Sequence, residues 1–147
     1  MNIQPYYKLP LKLGKIVNKK RHDICKIEDS IAQNTHLILV TQFEECRYDS
    51  TYGCCVWEYD FELLPQVGNW KTSIATNILD TLNKHEKRLV NVDVRVAIDQ
   101  QEFISQLDKN IKRVKKRIGI TVKGNLKYTN EPFDYYEAIY FSPISLD

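Results

Sequence analysis

The sequence predicts a single α+β domain: an N-terminal arm and about three helices packed on one face of a small, roughly three-stranded, mainly antiparallel sheet. Three observations carry this. Trp70, Ile74, Ile78 and Leu82 recur every fourth position, with Ala75 and Leu79 beside them, which is one stripe of an amphipathic helix. Immediately afterwards Val90, Val92, Val94, Val96 and Ile98 alternate with Asn91, Asp93, Arg95 and Ala97, the period of a half-buried strand. The remaining strand patterns follow later in the chain, and helices first with strands afterwards is the order of an α+β domain.

The 147 residues form one domain, large enough to bury a core without disulfide or metal. It divides into an extended docking arm (1–22), a helical part (23–88) and a sheet part (89–147). In the arm, two prolines, a glycine and alternating Lys and Leu argue for extended chain rather than helix. Its Tyr6, Tyr7, Leu9, Leu11, Leu13, Ile16 and Val17 are too many apolar residues for a free tail, so the arm is expected to dock, on its own domain or on a neighbour. Lys19-Lys20-Arg21 reads as a solvated turn, with contact to phosphate as the sharper alternative. From Ile27 to Thr41 a helix is expected, with Ile27, Ile31 and Ile38 on one face and Glu28 and Asp29 suited to its first turn. A loop follows, with Tyr52-Gly53 as its turn. Cys55 to Leu64 is a short apolar-aromatic segment carrying Val56, Trp57, Tyr59 and Phe61. The long helix runs from Trp70 to Lys87 and the first strand from Val90 to Ile98. Residues 100 to 113 are polar and weakly helical, and are read as a crossover or insertion. Ile118, Ile120 and Val122 alternate in a second strand stopped by Gly124-Asn125, and Tyr135 to Ser142 forms a third, ended by Pro143. Such a sheet has edges, and edges invite a strand from another chain.

Composition narrows the function. A net charge of +2 gives no global field that would argue for nucleic acid, and K-R-V-K-K-R (Lys112–Arg117) lacks the aromatic interleaving of a nucleic-acid surface. No apolar run approaches the ~20 residues of a membrane span, and M-N-I-Q-P-Y-Y has no signal-peptide character, so a cytoplasmic location without membrane insertion is expected. Cys25 and Cys46 stand alone and Cys54-Cys55 are adjacent; with no C-x-x-C and no histidine at ligand spacing, they read as reduced thiols and no metal is expected. Five scattered glycines make no phosphate loop, and no nucleophile motif appears, so no cofactor and no small-molecule substrate are expected. Glu44, Glu45, Asp49, Glu58, Asp60 and Glu62 cluster in sequence, but their density is that of an ordinary charged surface. The expectation is a protein that is not an enzyme.

One feature stands out against this background. The helix stripe, continued one step, lands on Glu86, so a carboxylate points along the core face at a helix C-terminus, where the macrodipole disfavours an anion by about 0.3–1 kcal/mol. Two readings are open: local pairing with Arg88 or Lys87, or projection of Glu86 and Arg88 to a partner. Taken with L-P-L-K-L-G-K-I, D-S-I-A-Q-N-T-H-L-I-L-V-T and C-R-Y-D-S-T-Y-G-C-C-V-W-E, the H-E-K-R turn resembles the lysozyme-like baseplate wedge family of contractile phage tails. Within it the chain is most similar to the type VI secretion branch, the TssE subunits, from about Tyr7 through Ser142. The family hallmark is a Glu-Pro-Arg motif between the last long helix and the first strand; here it is Glu86, Lys87 and Arg88, with lysine in the place of proline.

The resemblance implies a structural subunit of a membrane-docked baseplate, one that joins the wedge to the sheath and helps to start sheath assembly. Its partners would be other wedge subunits and the sheath protein. Glu86, Lys87 and Arg88, with Tyr52, Gly53 and Trp57, become the candidate partner-binding residues. Two other classes stay open: a peptidoglycan hydrolase, suggested by the family's lysozyme-like name, and a stand-alone regulatory adaptor of similar fold.

Overall fold

The computed structural model describes residues 5–58, 69–104 and 112–141. In chain order these form β1 (Tyr6–Tyr7), α1 (Leu13–Val17), β2 (Ile24–Cys25), α2 (Ile27–Val40), a 3-10 turn (Cys55–Glu58), α3 (Trp70–His85), β3 (Leu89–Ile104), β4 (Lys112–Leu126) and β5 (Pro132–Phe141). The α+β class is the one expected. A small antiparallel pair joins β1 to β2, and a separate antiparallel sheet has the order β3-β4-β5.

The period of each element explains its burial. Along α3 the stripe Ile74, Ile78 and Leu82 is fully buried, and along α2 so are Ile31, Ile38 and Leu39. They meet Ile118, Ile120, Val122 and Leu126 of β4 and Phe133 and Ile139 of β5, with Val92, Val94, Val96 and Ile98 of β3 packed around them. In β3 and β4 these are all even-numbered residues, as one face of a pleated strand requires. Helix α3 lies along β3 while α2 reaches β5, so both helices cover one face. The third helix, α1, contributes no buried residue.

Three expectations are corrected. The arm is not wholly extended, because Leu13–Val17 closes a short helix; its end is a Schellman motif, with Lys20 N–H donating to Lys15 O at 2.8 Å and Lys19 N–H to Ile16 O at 3.1 Å. Residues 100–104 and 112–113 are not a crossover: they prolong β3 and β4 into a hairpin whose pairing continues from Ile98↔Ile118 to Ile104↔Lys112. Apolar alternation stops at Ile98, so the periodic signal ends where cross-strand hydrogen bonding does not. Finally, Gly124 and Asn125 do not stop β4, which runs to Leu126. The register shifts between Val90 and Asp93, with Asn91 at φ 53°, and Gly124 lies against that bulge. A Cβ on Gly124 would stand 3.0 Å from Val90 O, so glycine here permits a close approach rather than a break. The expected aromatic segment beyond Glu58 falls outside the described residues.

The arm docks on its own domain. Leu9 N–H donates to Gln33 Oε1 of α2 at 2.9 Å, and Asp23 holds Lys12 at 2.7 Å and Lys15 at 2.6 Å. All four cysteines are free thiols, Cys54 and Cys55 buried and Cys25 and Cys46 partly so.

Candidate functional site

Helix α3 ends because Glu86 leaves helical geometry (φ −120°, ψ 80°), its N–H still bonded to Leu82 O at 2.8 Å. Its side chain turns inward and is 2% exposed. Oε1 accepts from Arg88 Nε at 2.8 Å and from Arg88 N–H at 3.2 Å. Oε2 accepts from Arg88 Nη2 at 2.6 Å and from Asn34 Nδ2 at 2.9 Å. A carboxylate offers about four lone-pair sites, and all are used inside the chain. Burial pushes the Glu86 carboxyl up, but the hydrogen bonds from Arg88 and Asn34 and the charge of Arg88 outweigh it, and the net displacement is downward. The same pairing raises Arg88, against the opposing effect of burial.

The clamp gathers four segments. From α2 come Asn34 and Ser30, whose Oγ accepts from Arg88 Nη1 at 2.8 Å. From the arm comes Tyr6, whose ring lies 5.2 Å from the Arg88 guanidinium, a cation–π contact. From the loop comes Tyr52, whose hydroxyl donates to Asn34 Oδ1 at 2.8 Å and whose ring meets His85 edge-on at 5.2 Å. Burial raises the Tyr52 hydroxyl above its ordinary value, so it stays a donor. Beyond it Lys84 Nζ donates to Thr51 Oγ1 at 2.6 Å, and His85 Nε2 lies 3.2 Å from Thr51 O. Gly53 fixes the loop from behind: at φ 132° it is buried against Thr41, whose oxygen would lie 2.6 Å from any Cβ placed there.

Of the candidate residues, Glu86, Arg88, Tyr52 and Gly53 therefore belong to one cluster. Lys87 faces outward, its Nζ donating to Asn83 O at 2.7 Å, where a cation suits the helix end. Trp57 stands apart, donating from Nε1 to Leu39 O at 2.9 Å with 37% of its surface exposed. For Glu86 the arrangement is the local pairing; contact with a partner through its carboxylate would have to break that pairing. Sequence reasoning missed Asn34, Ser30 and Tyr6. The trace available for the first two was a pair of polar residues four apart on α2, flanking Ile31.

Among the described residues no group of three or more His, Cys, Asp or Glu is placed to hold a metal ion. No described helix is long and apolar enough to cross a membrane. The site thus sits where a helix pair covers one face of a three-stranded antiparallel sheet, at a clamped helix-to-strand turn. The fold is similar to that of a Geobacter sulfurreducens protein named as a candidate tail lysozyme, with a TM-score of 0.57 at 16% identity, covering 85% of this chain and 100% of that one. At that identity the likeness speaks for the fold alone. No curated protein matches the sequence. The family profile of baseplate wedge protein gp25 matches residues 25–131, from the end of β2 to the turn before β5, and the chain belongs to that family.

Proposed function

We propose that this baseplate protein is a structural wedge subunit of a contractile injection apparatus of the type VI secretion kind, not an enzyme. It would join the wedge to the sheath and help to start sheath assembly, working in the cytoplasm at a membrane-docked baseplate. Its partners are other wedge subunits and the sheath protein. The observation that carries this is the 16-residue strand β3, which sits at the edge of its sheet with β4 as its one neighbour among the described residues. An edge of that length is a template for strand addition. The Glu86–Arg88 clamp holds the root of β3 against both helices, with Lys87 on the outer side of the turn.

A peptidoglycan hydrolase needs a carboxylic acid whose pKa is raised. Among the described residues the carboxyl groups that are displaced, Asp23, Asp49 and Glu86, all move downward, which favours the structural reading. The test is a pull-down of the tagged full chain from native cells. Recovery of wedge and sheath proteins is expected; recovery of a protease adaptor, or of nothing, overturns the proposal. Proline placed in turn at Val94, Arg95 and Val96 should, where the N–H faces outward, stop sheath growth and leave the baseplate intact. Normal growth from all three variants refutes the edge as template. Clearing of peptidoglycan by the purified protein at any pH refutes the non-enzymatic role.

A further inference from the structure

We infer that the N-terminal arm carries a second docking site, a groove that takes an acidic amphipathic peptide segment of a partner protein. The groove measures about 790 Å³ and lies before the stretch matched by the family. Tyr7, Leu11, Ile16 and Ile24 line it, each roughly half exposed or more. Lys19, Lys20 and Arg21 form its rim. Apolar residues gathered on this scale around one concavity are an unmet contact rather than scattered surface hydrophobics.

The charge of the rim selects the occupant. Asp23, the acidic residue just after the arm, is already taken by Lys12 and Lys15. Among the described residues Lys19, Lys20 and Arg21 have no carboxylate partner. Lys19 also holds the left-handed position of the Schellman motif, at φ 54°, where glycine is the residue of least strain. A lysine kept at that position places its charge on the rim at a backbone cost. An apolar floor with a cationic rim complements a segment with leucine-like residues on one side and Asp or Glu beside them, as in helix-in-groove recognition. A bilayer surface is flat and would meet protruding residues, whereas these four line the walls of a concavity. The scaffold is preorganised: besides the Asp23 pairs, Lys12 N–H donates to His22 Nε2 at 2.8 Å, and His22 meets Tyr7 edge-on.

This inference rests on the assembly role above only in taking a protein as the occupant. The test places the photocrosslinker p-benzoylphenylalanine at Leu11 of the tagged full chain in native cells and sequences the peptide it captures. The expected adduct is a segment of another protein with apolar residues at helical spacing and an excess of Asp and Glu. Lys19→Glu, Lys20→Glu and Arg21→Glu together should cut the yield about tenfold with an unchanged melting temperature, and added salt should lower the wild-type yield. No adduct, or an adduct to lipid, to a second copy of this chain or to a basic segment, overturns the inference, as does a yield indifferent to charge reversal. Co-purification of wedge proteins is scored on the same samples. If it persists while the adduct is absent, the groove fails alone; if it is absent while the adduct forms, the wedge role fails alone.

Discussion

Glu86→Ala tests whether the acid of the helix-to-strand turn works inside the chain. The substitution removes the acceptor of the bonds from Arg88 Nε, Arg88 Nη2, Arg88 N–H and Asn34 Nδ2. Breaking a buried ion pair by deleting one partner costs about 3–5 kcal/mol. The Arg88 side chain is 25% exposed, so water recovers part of the loss and about 2–3 kcal/mol is expected. For a domain of this size each kcal/mol moves the melting temperature by about 2–4 °C, giving a fall of about 4–12 °C by circular dichroism. Arg88→Ala and the double variant complete a cycle, whose coupling should reach about 2 kcal/mol. A melting temperature within about 1 °C of wild type, together with lost assembly, would refute the internal clamp and return Glu86 to a partner surface.

The acid limb of stability should carry the mark of the same carboxylate. An unfolded Glu86 titrates near 4.5 and the folded one lower, so its contribution is complete above that pH and is lost as pH falls through the folded value. Melting temperatures followed down to about pH 3 should therefore fall less steeply for Glu86→Gln than for wild type, and parallel curves would contradict this. Gly53→Ala forces a Cβ to within 2.6 Å of Thr41 O at φ 132° and should cost about 1–3 kcal/mol in a urea titration; a neutral result would mean that the loop moves freely off Thr41. Burial pushes the Cys54 thiol up to about 12, so Ellman's reagent at neutral pH should label Cys25 and Cys46 in the native protein, and Cys54 and Cys55 only after denaturation. Lys87→Pro should be tolerated or stabilising by about 0.4–1 kcal/mol, since Glu86 at φ −120° and ψ 80° has already left the helical region that a following proline disfavours. A loss above about 1 kcal/mol would show that the Lys87 backbone does not fit proline.

Much of this architecture is legible in the sequence because burial imposes a period. The stripes of α2 and α3 and the alternation of β3 and β4 each report one buried face, and extending the α3 stripe by one step correctly places Glu86 inside. Pairing of Glu86 with Arg88, two positions on, is one of the readings that the sequence offers; the bond from Asn34 is not legible, because Asn34 lies 52 positions away and no local pattern links them. The outer arms of the β3–β4 hairpin escape for a different reason. Beyond Ile98 the pairing runs on to Ile104↔Lys112 although the alternation of apolar residues in the sequence has stopped, so the strands continue without a periodic signature. Helix α1 hides because its end is marked by Lys19, where sequence rules look for glycine.

The clamp also accounts for a tight turn that contains neither glycine nor proline. At the helix end the macrodipole opposes Glu86 by about 0.3–1 kcal/mol, less than charge-assisted hydrogen bonds to one guanidinium contribute. Lys87, by capping Asn83 O, returns a cation to that end. The rigidity so gained acts over a distance. A strand of 16 residues at about 3.3 Å each is roughly 50 Å long. A swing of about 10° at its root would carry the tip some 9 Å, nearly twice the ~4.8 Å between paired strands. A β3 that templates another chain's strand thus needs its root fixed far more tightly than its tip. Four internal hydrogen bonds on a single buried carboxylate, tied to α2 at Asn34, to α3 and to the arm through Arg88 and Tyr6, supply that fixation. On the proposed role the acid of the motif would act on a partner through the direction of β3, while its oxygens stay inside the domain.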